Sequence, residues 1–130
     1  MSNPFYQRDV ISIKDFTRQE LEYLFSDSDK IQDMNLTNRK KLGQDRIVAL
    51  LFYEPSTRTR LSFEVAMHLI GGHAVGFAEP RVASVEKGEN LADTVRTVEG
   101  YVDAIILRHP MEGAARFLAE IASKPVINAG

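Results

Sequence analysis

From Arg46 onward the chain alternates short apolar runs with stretches whose apolar residues recur three or four positions apart, and that alternation predicts βαβ units around a parallel sheet. Ile47 to Tyr53 reads as a strand buried on both faces. The stretch 57–70 reads as a helix with Leu61, Phe63, Ala66, Met67 and Ile70 available for packing, ended by Gly71 and Gly72. His73 to Phe77 predicts a second strand, and after a polar loop a second helix starts at Asn90 with Leu91, Val95 and Val98 on one side. Asp103 to Leu107 predicts the third strand, Ala114 to Ala122 an alanine-rich helix, and Pro125 to Asn128 the fourth strand. Ahead of this alternation Thr17 and Glu20 make a capping-box pair in front of Leu21, Leu24, Phe25 and Ile31, which predicts a helix ending between Gln32 and Asn35. The expected architecture is α/β: one three-layer domain over residues 1–130, with a four-stranded parallel sheet flanked by helices.

Composition narrows the functional classes. Sixteen basic residues against eighteen acidic ones give a formal charge of −2, so no strong overall field exists to hold nucleic acid or an anionic membrane, and any anion must be bound locally. The absence of cysteine excludes disulfides, thiolate metal sites and cysteine nucleophiles, and suits a reducing compartment; the cytoplasm is the expected location. The longest apolar run, Ile47 to Tyr53, is far below the roughly 20 residues of a membrane helix, and the start of the chain is polar. Gly130 follows the fourth strand closely, where α/β units ordinarily run on into another helix, so a continuation is expected.

In open α/β sheets ligands bind beyond the carboxyl ends of the strands, so the chemistry belongs to the segments that follow each strand. Those are Glu54-Pro55-Ser56-Thr57-Arg58-Thr59-Arg60, then Ala83-Ser84-Val85-Glu86-Lys87-Gly88-Glu89, then Arg108-His109-Pro110, then Asn128-Ala129-Gly130. The first is the most specific. Pro55 biases Glu54 away from helix, Ser56 can serve as N-cap, and the free N–H groups of the next turn face outward with the positive end of the helix dipole. Two readings of the residues stand side by side: Ser56 is only a cap and both arginines are solvated, or the turn holds an anion. Arginine in a first turn opposes the dipole, which favours the anion. The segment is neither a P-loop nor a dinucleotide fingerprint. Glu54 either orients the arginines or is an exposed loop acid, Arg60 reads as structural, and His68 and His109 lack partners at metal-ligand spacing, so packing or surface roles suit them.

The run Phe52-Tyr53-Glu54-Pro55-Ser56-Thr57-Arg58-Thr59-Arg60-Leu61-Ser62-Phe63-Glu64, with Ala66-Met67-His68 and Gly71-Gly72, resembles the carbamoyl-phosphate motif of the carbamoyltransferases. Lys87-Gly88-Glu89-Asn90-Leu91-Ala92-Asp93-Thr94 and Arg108-His109-Pro110-Met111-Glu112-Gly113-Ala114-Ala115-Arg116 are similar to aspartate carbamoyltransferase catalytic chains rather than ornithine ones.

The resemblance implies transfer of the carbamoyl group from carbamoyl phosphate to L-aspartate, an early step of pyrimidine biosynthesis, with no metal, no cofactor and no covalent enzyme intermediate. It implies that Ser56, Thr57, Arg58 and Thr59 hold the phosphate, that Thr59 and Arg108 reach the carbonyl oxygen, and that Lys87, with a serine of its loop, enters the site of a neighbouring subunit. Arg58, Thr59, Lys87 and Arg108 are the expected catalytic residues. Ala83 stands where family members often carry serine, with Ser84 one place later, so Ser84 is the candidate for that role. A homotrimer with shared sites and, in some family members, a separate regulatory chain are implied too. So are a histidine, a glutamine and an aspartate-binding domain beyond Gly130; without them weak binding and little turnover are expected. An ornithine-type enzyme and a non-catalytic phosphate-binding module are the alternatives.

Overall fold

The computed structural model describes residues 2–77 and 90–130. Its sheet consists of β1 (Ile47–Phe52), β2 (His73–Phe77), β3 (Ala104–Arg108) and β4 (Val126–Asn128), all parallel and in the order β2-β1-β3-β4. The helices are α1 (Arg18–Asp33), α2 (Leu36–Arg39), α3 (Thr57–Leu69), α4 (Leu91–Val98) and α5 (Ala114–Ile121), preceded by a 3-10 turn at Ile13–Asp15. The four strands and four main helices expected from the sequence are present, with bounds shifted by a residue. β3 starts at Ala104 rather than Asp103, whose side chain Oδ2 accepts the Ile47 N–H at 2.9 Å and so closes the lower corner of the sheet.

β1 is central, and its unbroken apolar run is explained by burial on both faces. Val48, Leu50 and Phe52 face α3 and pack with Ile106, Phe63 and Met67. Ala49, Leu51 and Tyr53 face α4 and α5, with Val95, Ile105, Leu107 and Leu118. Full burial of such side chains stabilises by roughly 1.5–3 kcal/mol each. The α4 and α5 periodicity is honoured by Val95 and Leu118, both completely buried.

Two features hold the frame at its corners. α3 ends in a Schellman motif: the Gly72 N–H donates to Met67 O at 2.8 Å and the Gly71 N–H to His68 O at 3.1 Å, with Gly71 at φ 87°. A Cβ there would lie 1.9 Å from Lys40 O, so both backbone conformation and space require glycine. At the β4 edge the segment 9–11 lies alongside as a single parallel bridge, with Val10 N–H donating to Val126 O at 2.8 Å and Asn128 N–H to Val10 O at 2.7 Å. Asp9 Oδ1 accepts the Val126 N–H at 2.8 Å. This pairing was not expected from the sequence, since a lone bridge carries no alternating pattern.

α1 begins as expected, with both arms of its capping box formed: Thr17 Oγ1 accepts the Glu20 N–H at 3.1 Å and Glu20 Oε2 accepts the Thr17 N–H at 2.9 Å. None of its residues is buried, and Phe25 keeps 63% of its surface exposed. Among the described residues, no helix is long and apolar enough to cross a membrane.

Candidate functional site

The chain leaves β1 in one direction to reach β2, while β3 pairs on the other side of β1. The switch of strand order therefore falls between β1 and β3, where open parallel sheets form their ligand crevice. Phe52 and Arg108 are register partners across that gap, and the Tyr53 N–H donates to Arg108 O at 2.8 Å.

The Arg108 side chain is fixed from two sides. Its Nε donates to Glu54 Oε1 at 2.8 Å, and its Nη1 donates to Ala129 O at 2.8 Å. The ends of β1, β3 and β4 thus meet on one guanidinium, whose Nη2 and remaining Nη1 proton are left to donate. The ion pair is partly exposed, 27% for Arg108 and 33% for Glu54, so its value is orientation more than stability. Of the two readings of Glu54, the structure supports the one in which it orients an arginine. The Ala129 carbonyl was not singled out as a partner of Arg108 by the sequence, although 128–130 follow a strand and so belong to the edge inspected.

Immediately after Glu54 the chain turns through Pro55 into α3. Ser56 occupies the N-cap position and its carbonyl accepts the Arg60 N–H at 3.0 Å, but its side chain makes no capping bond. The expectation that Ser56 serves as N-cap holds for the backbone and fails for the hydroxyl, because φ −159° and ψ 81° do not bring Oγ over the following turn. The Thr57, Arg58 and Thr59 N–H groups have no helical carbonyl behind them. The first turn contains no acidic residue, and Arg58 is exposed with no ion pair among the described residues. Thr59 and Arg60 are half-buried, and Arg60 Nη1 pairs with Glu64 Oε2 at 3.1 Å, which accords with a structural arginine. The result is a cluster of hydroxyl, amide and guanidinium donors at a positive helix end, with Glu54 linking it to Arg108.

On the other side of the β3 terminus sits His109. Its Nδ1 accepts the Met111 N–H at 3.0 Å, and its ring lies 5.0 Å from that of Tyr53, which in turn meets Phe77 edge-on at 5.1 Å. Burial pushes the imidazole below its ordinary value, opposed by the Glu54 charge. Two open concavities of about 600 and 610 Å³ meet at His109, one toward Arg116 and Asn128, the other toward Leu91 and Phe117. Neither of these two concavities is lined by the α3 start or by Arg108. Among the described residues no group of three or more His, Asp or Glu could hold a metal ion.

The structure brings Ser56, Thr57, Arg58, Thr59 and Arg108 to one sheet edge. Ser84 and Lys87, with Ala83, lie outside the described residues.

Fold and crevice together define a parallel α/β domain whose strand-end edge gathers hydroxyl, amide and guanidinium donors. Residues 8–130 match the profile described as "Aspartate/ornithine carbamoyltransferase, carbamoyl-P binding domain", and the chain belongs to that family. The aspartate carbamoyltransferase catalytic subunit of Nitrosopumilus maritimus is 52% identical over 128 residues, 98% of this chain and 41% of that protein. The solved catalytic subunit of M. jannaschii aspartate transcarbamoylase superposes with a TM-score of 0.85 at 44% identity, covering 95% of this chain and 42% of that one. Aspartate transcarbamoylase from Trypanosoma cruzi, solved in complex with carbamoyl phosphate and aspartate, gives a TM-score of 0.85 at 35% identity over 95% of this chain and 41% of that one. The chain thus spans about two fifths of the length of the relatives it matches.

Proposed function

We propose that this domain binds carbamoyl phosphate for transfer of its carbamoyl group to L-aspartate, giving N-carbamoyl-L-aspartate and phosphate. The observation that carries the reading is the unsatisfied start of α3, with no capping side-chain bond and no acid in its first turn, coupled through Glu54 to a held Arg108. The Ser56 and Thr57 hydroxyls, the first-turn amides and Arg58 hold the phosphate. Thr59 and the free edge of Arg108 donate to the carbonyl oxygen, where negative charge grows as the aspartate amine adds to the carbonyl carbon. Collapse of that tetrahedral species breaks the bond to phosphate, which takes up the proton lost by the amine and leaves into donors already in place. Such preorganised donors act where charge develops, so catalysis requires no protein nucleophile. Lys87 and Ser84 complete the set in this reading, from a neighbouring copy in a homotrimer, with a regulatory chain as a further partner and the cytoplasm as the setting.

The names of the relatives support aspartate over ornithine as the acceptor. Titration calorimetry of the chain with carbamoyl phosphate tests the donor half: saturable binding that disappears in Arg58→Ala is expected, and absence of binding by the unsubstituted chain overturns the reading. Comparing carbamoyl transfer to L-aspartate and to L-ornithine, in the protein that carries this domain, tests the acceptor half. Faster transfer to ornithine refutes that part alone.

A further inference from the structure

The rings of Phe77, Tyr53 and His109 form a continuous row across the ends of β2, β1 and β3, with centroid separations of 5.1 and 5.0 Å. Each ring adjoins a segment that bears site chemistry. Phe77 precedes 78–89, Tyr53 precedes Glu54 and the α3 start, and His109 follows Arg108. The row lies on the α4 and α5 face, whereas Arg108 and Glu54 belong to the opposite side of the strand ends. It therefore backs the crevice without entering it.

His109 differs from the other two rings because it also closes a turn. Its Nδ1 accepts the Met111 N–H at 3.0 Å, which only an unprotonated Nδ1 can do, and this assigns the neutral tautomer with the proton on Nε2. Arg108 is linked to the row through its own backbone as well, since Arg108 O accepts the N–H of Tyr53 at 2.8 Å. A shift of the His109 turn would therefore be felt at the Arg108 backbone and at the Tyr53 ring, which meets the imidazole at a tilt of 47°.

We propose that neutral His109, through its bond to the Met111 amide, is a positioning residue for Arg108. The functional weight of this rests on the reading of Arg108 as a substrate contact; the geometric coupling does not. Protonation at Nδ1 replaces an acceptor with a donor facing the Met111 N–H, and opens the turn. Among the described residues the charged groups around the ring are Glu54 from the β1 to α3 turn, Arg108 beside it, Glu112 just before α5 and Arg116 in its first turn. α4 contributes Asn90, Leu91 and Ala92, which carry no charge, and Tyr53 contributes its ring. Burial of the imidazole works in the same direction as the acceptor role, keeping it neutral.

The test follows the Arg108 Nε–H and His109 ring resonances of the chain by NMR between pH 7.5 and about 5, without ligand. The two are expected to move with one midpoint, below the ordinary 6.5 of histidine. In His109→Asn the amide oxygen can accept the Met111 N–H and does not titrate, so the Arg108 inflection should vanish. His109→Phe keeps a ring on Tyr53 but removes the acceptor. Its carbamoyl phosphate affinity is expected to fall about 2- to 10-fold, the worth of one hydrogen bond, while His109→Asn stays within about two-fold. An Arg108 resonance indifferent to the His109 titration overturns the proposal, as does a folded Phe variant that binds like the unsubstituted chain. Failure of carbamoyl phosphate to bind any of these proteins would refute the proposed function instead, leaving the ligand-free titration to decide the coupling.

Discussion

The starts of α1 and α3 use the same kind of residue for opposite ends. Thr17 and Ser56 both stand at N-cap positions, but Thr17 Oγ1 accepts the Glu20 N–H and Glu20 returns the bond, so that helix start is closed on itself. Glu20 also places negative charge at the positive helix end, and its carboxyl is held below the ordinary range by the Arg8 hydrogen bond first and the Thr17 amide next. At α3 the hydroxyl makes no such bond, the acid is missing, and arginine occupies the first turn. A helix start left open in this way lacks stabilisation worth about 0.5–2 kcal/mol. It retains donors that a closed start has already used. N-cap residue type alone does not separate the two starts; what separates them is the residue three positions on, Glu20 in α1 and Thr59 in α3, with the side-chain cap bonds formed in the first and absent in the second.

The largest expected effect is on the chemistry joined to the open start. Arg108→Ala in the active enzyme should lower kcat by about 10²- to 10³-fold, or about 2.7–4 kcal/mol, in steady-state assays, while leaving the cooperative melt of the protein intact. Turnover within a few-fold of normal would remove Arg108 from the site.

Next in size, Ser56→Asp converts the α3 start toward the α1 type by adding a carboxylate. Carbamoyl phosphate affinity should drop by about 1.5–3 kcal/mol in calorimetry, because charge-assisted donors are taken and like charges meet, and thermal stability of the ligand-free chain should rise. Tighter binding would show that the two starts do not differ in the way described.

Smaller again is the pair Thr17→Ala and Ser56→Ala. The first should cost about 1 kcal/mol in urea unfolding with carbamoyl phosphate affinity unchanged. The second should cost less than about 0.5 kcal/mol of stability, since no cap bond is lost, yet weaken binding. Equal stability losses would mean that Ser56 does cap in solution.

The smallest effect is acid sensitivity. A carboxyl whose folded-state value is lowered contributes stability that is complete above its unfolded value of 4.5 and lost as pH falls through the folded one. Stability curves of the unsubstituted chain and of Glu20→Gln should therefore differ at neutral pH and converge below it. His109 has the same sign for a different reason: its cation is disfavoured by burial, so it contributes nothing adverse above 6.5 and costs stability as pH falls below that value. If the Gln variant shows the same acid slope as its parent, the α1 box is not the source.

Legibility of the sequence followed the range of the interactions. Strands β1 and β3 were readable because two-sided burial leaves only apolar residues, and the α3 terminus because Gly71 and Gly72 have few other uses. The Thr17 and Glu20 box was readable because both its bonds are local. What escaped was long-range or conformational. Nothing in Asp9 or Val10 announces a partner at Val126, and nothing in Ser56 announces that φ and ψ will turn its hydroxyl away from the helix. At the site, the resemblance supplied the residues and their order of importance. The structure added what holds them: Glu54 and the Ala129 carbonyl on Arg108, and the imidazole to amide bond behind it.

The bridge along β4 gives the sheet unequal rims. One rim is covered near Val10, whose backbone bonds to Val126 and Asn128, and by the Asp9 carboxylate, which accepts the Val126 N–H across 117 positions in sequence, whereas the outer side of β2 pairs with no strand among the described residues. A seal assembled from such distant pieces forms late in folding, so for a time both rims are available to strands of other molecules. Once it closes, the outer side of β2 is the edge that stays unpaired among the described residues. Trimming the first ten residues would reopen the second one without disturbing a core side chain, and the cost would be read in solubility during refolding before it was read in the melt.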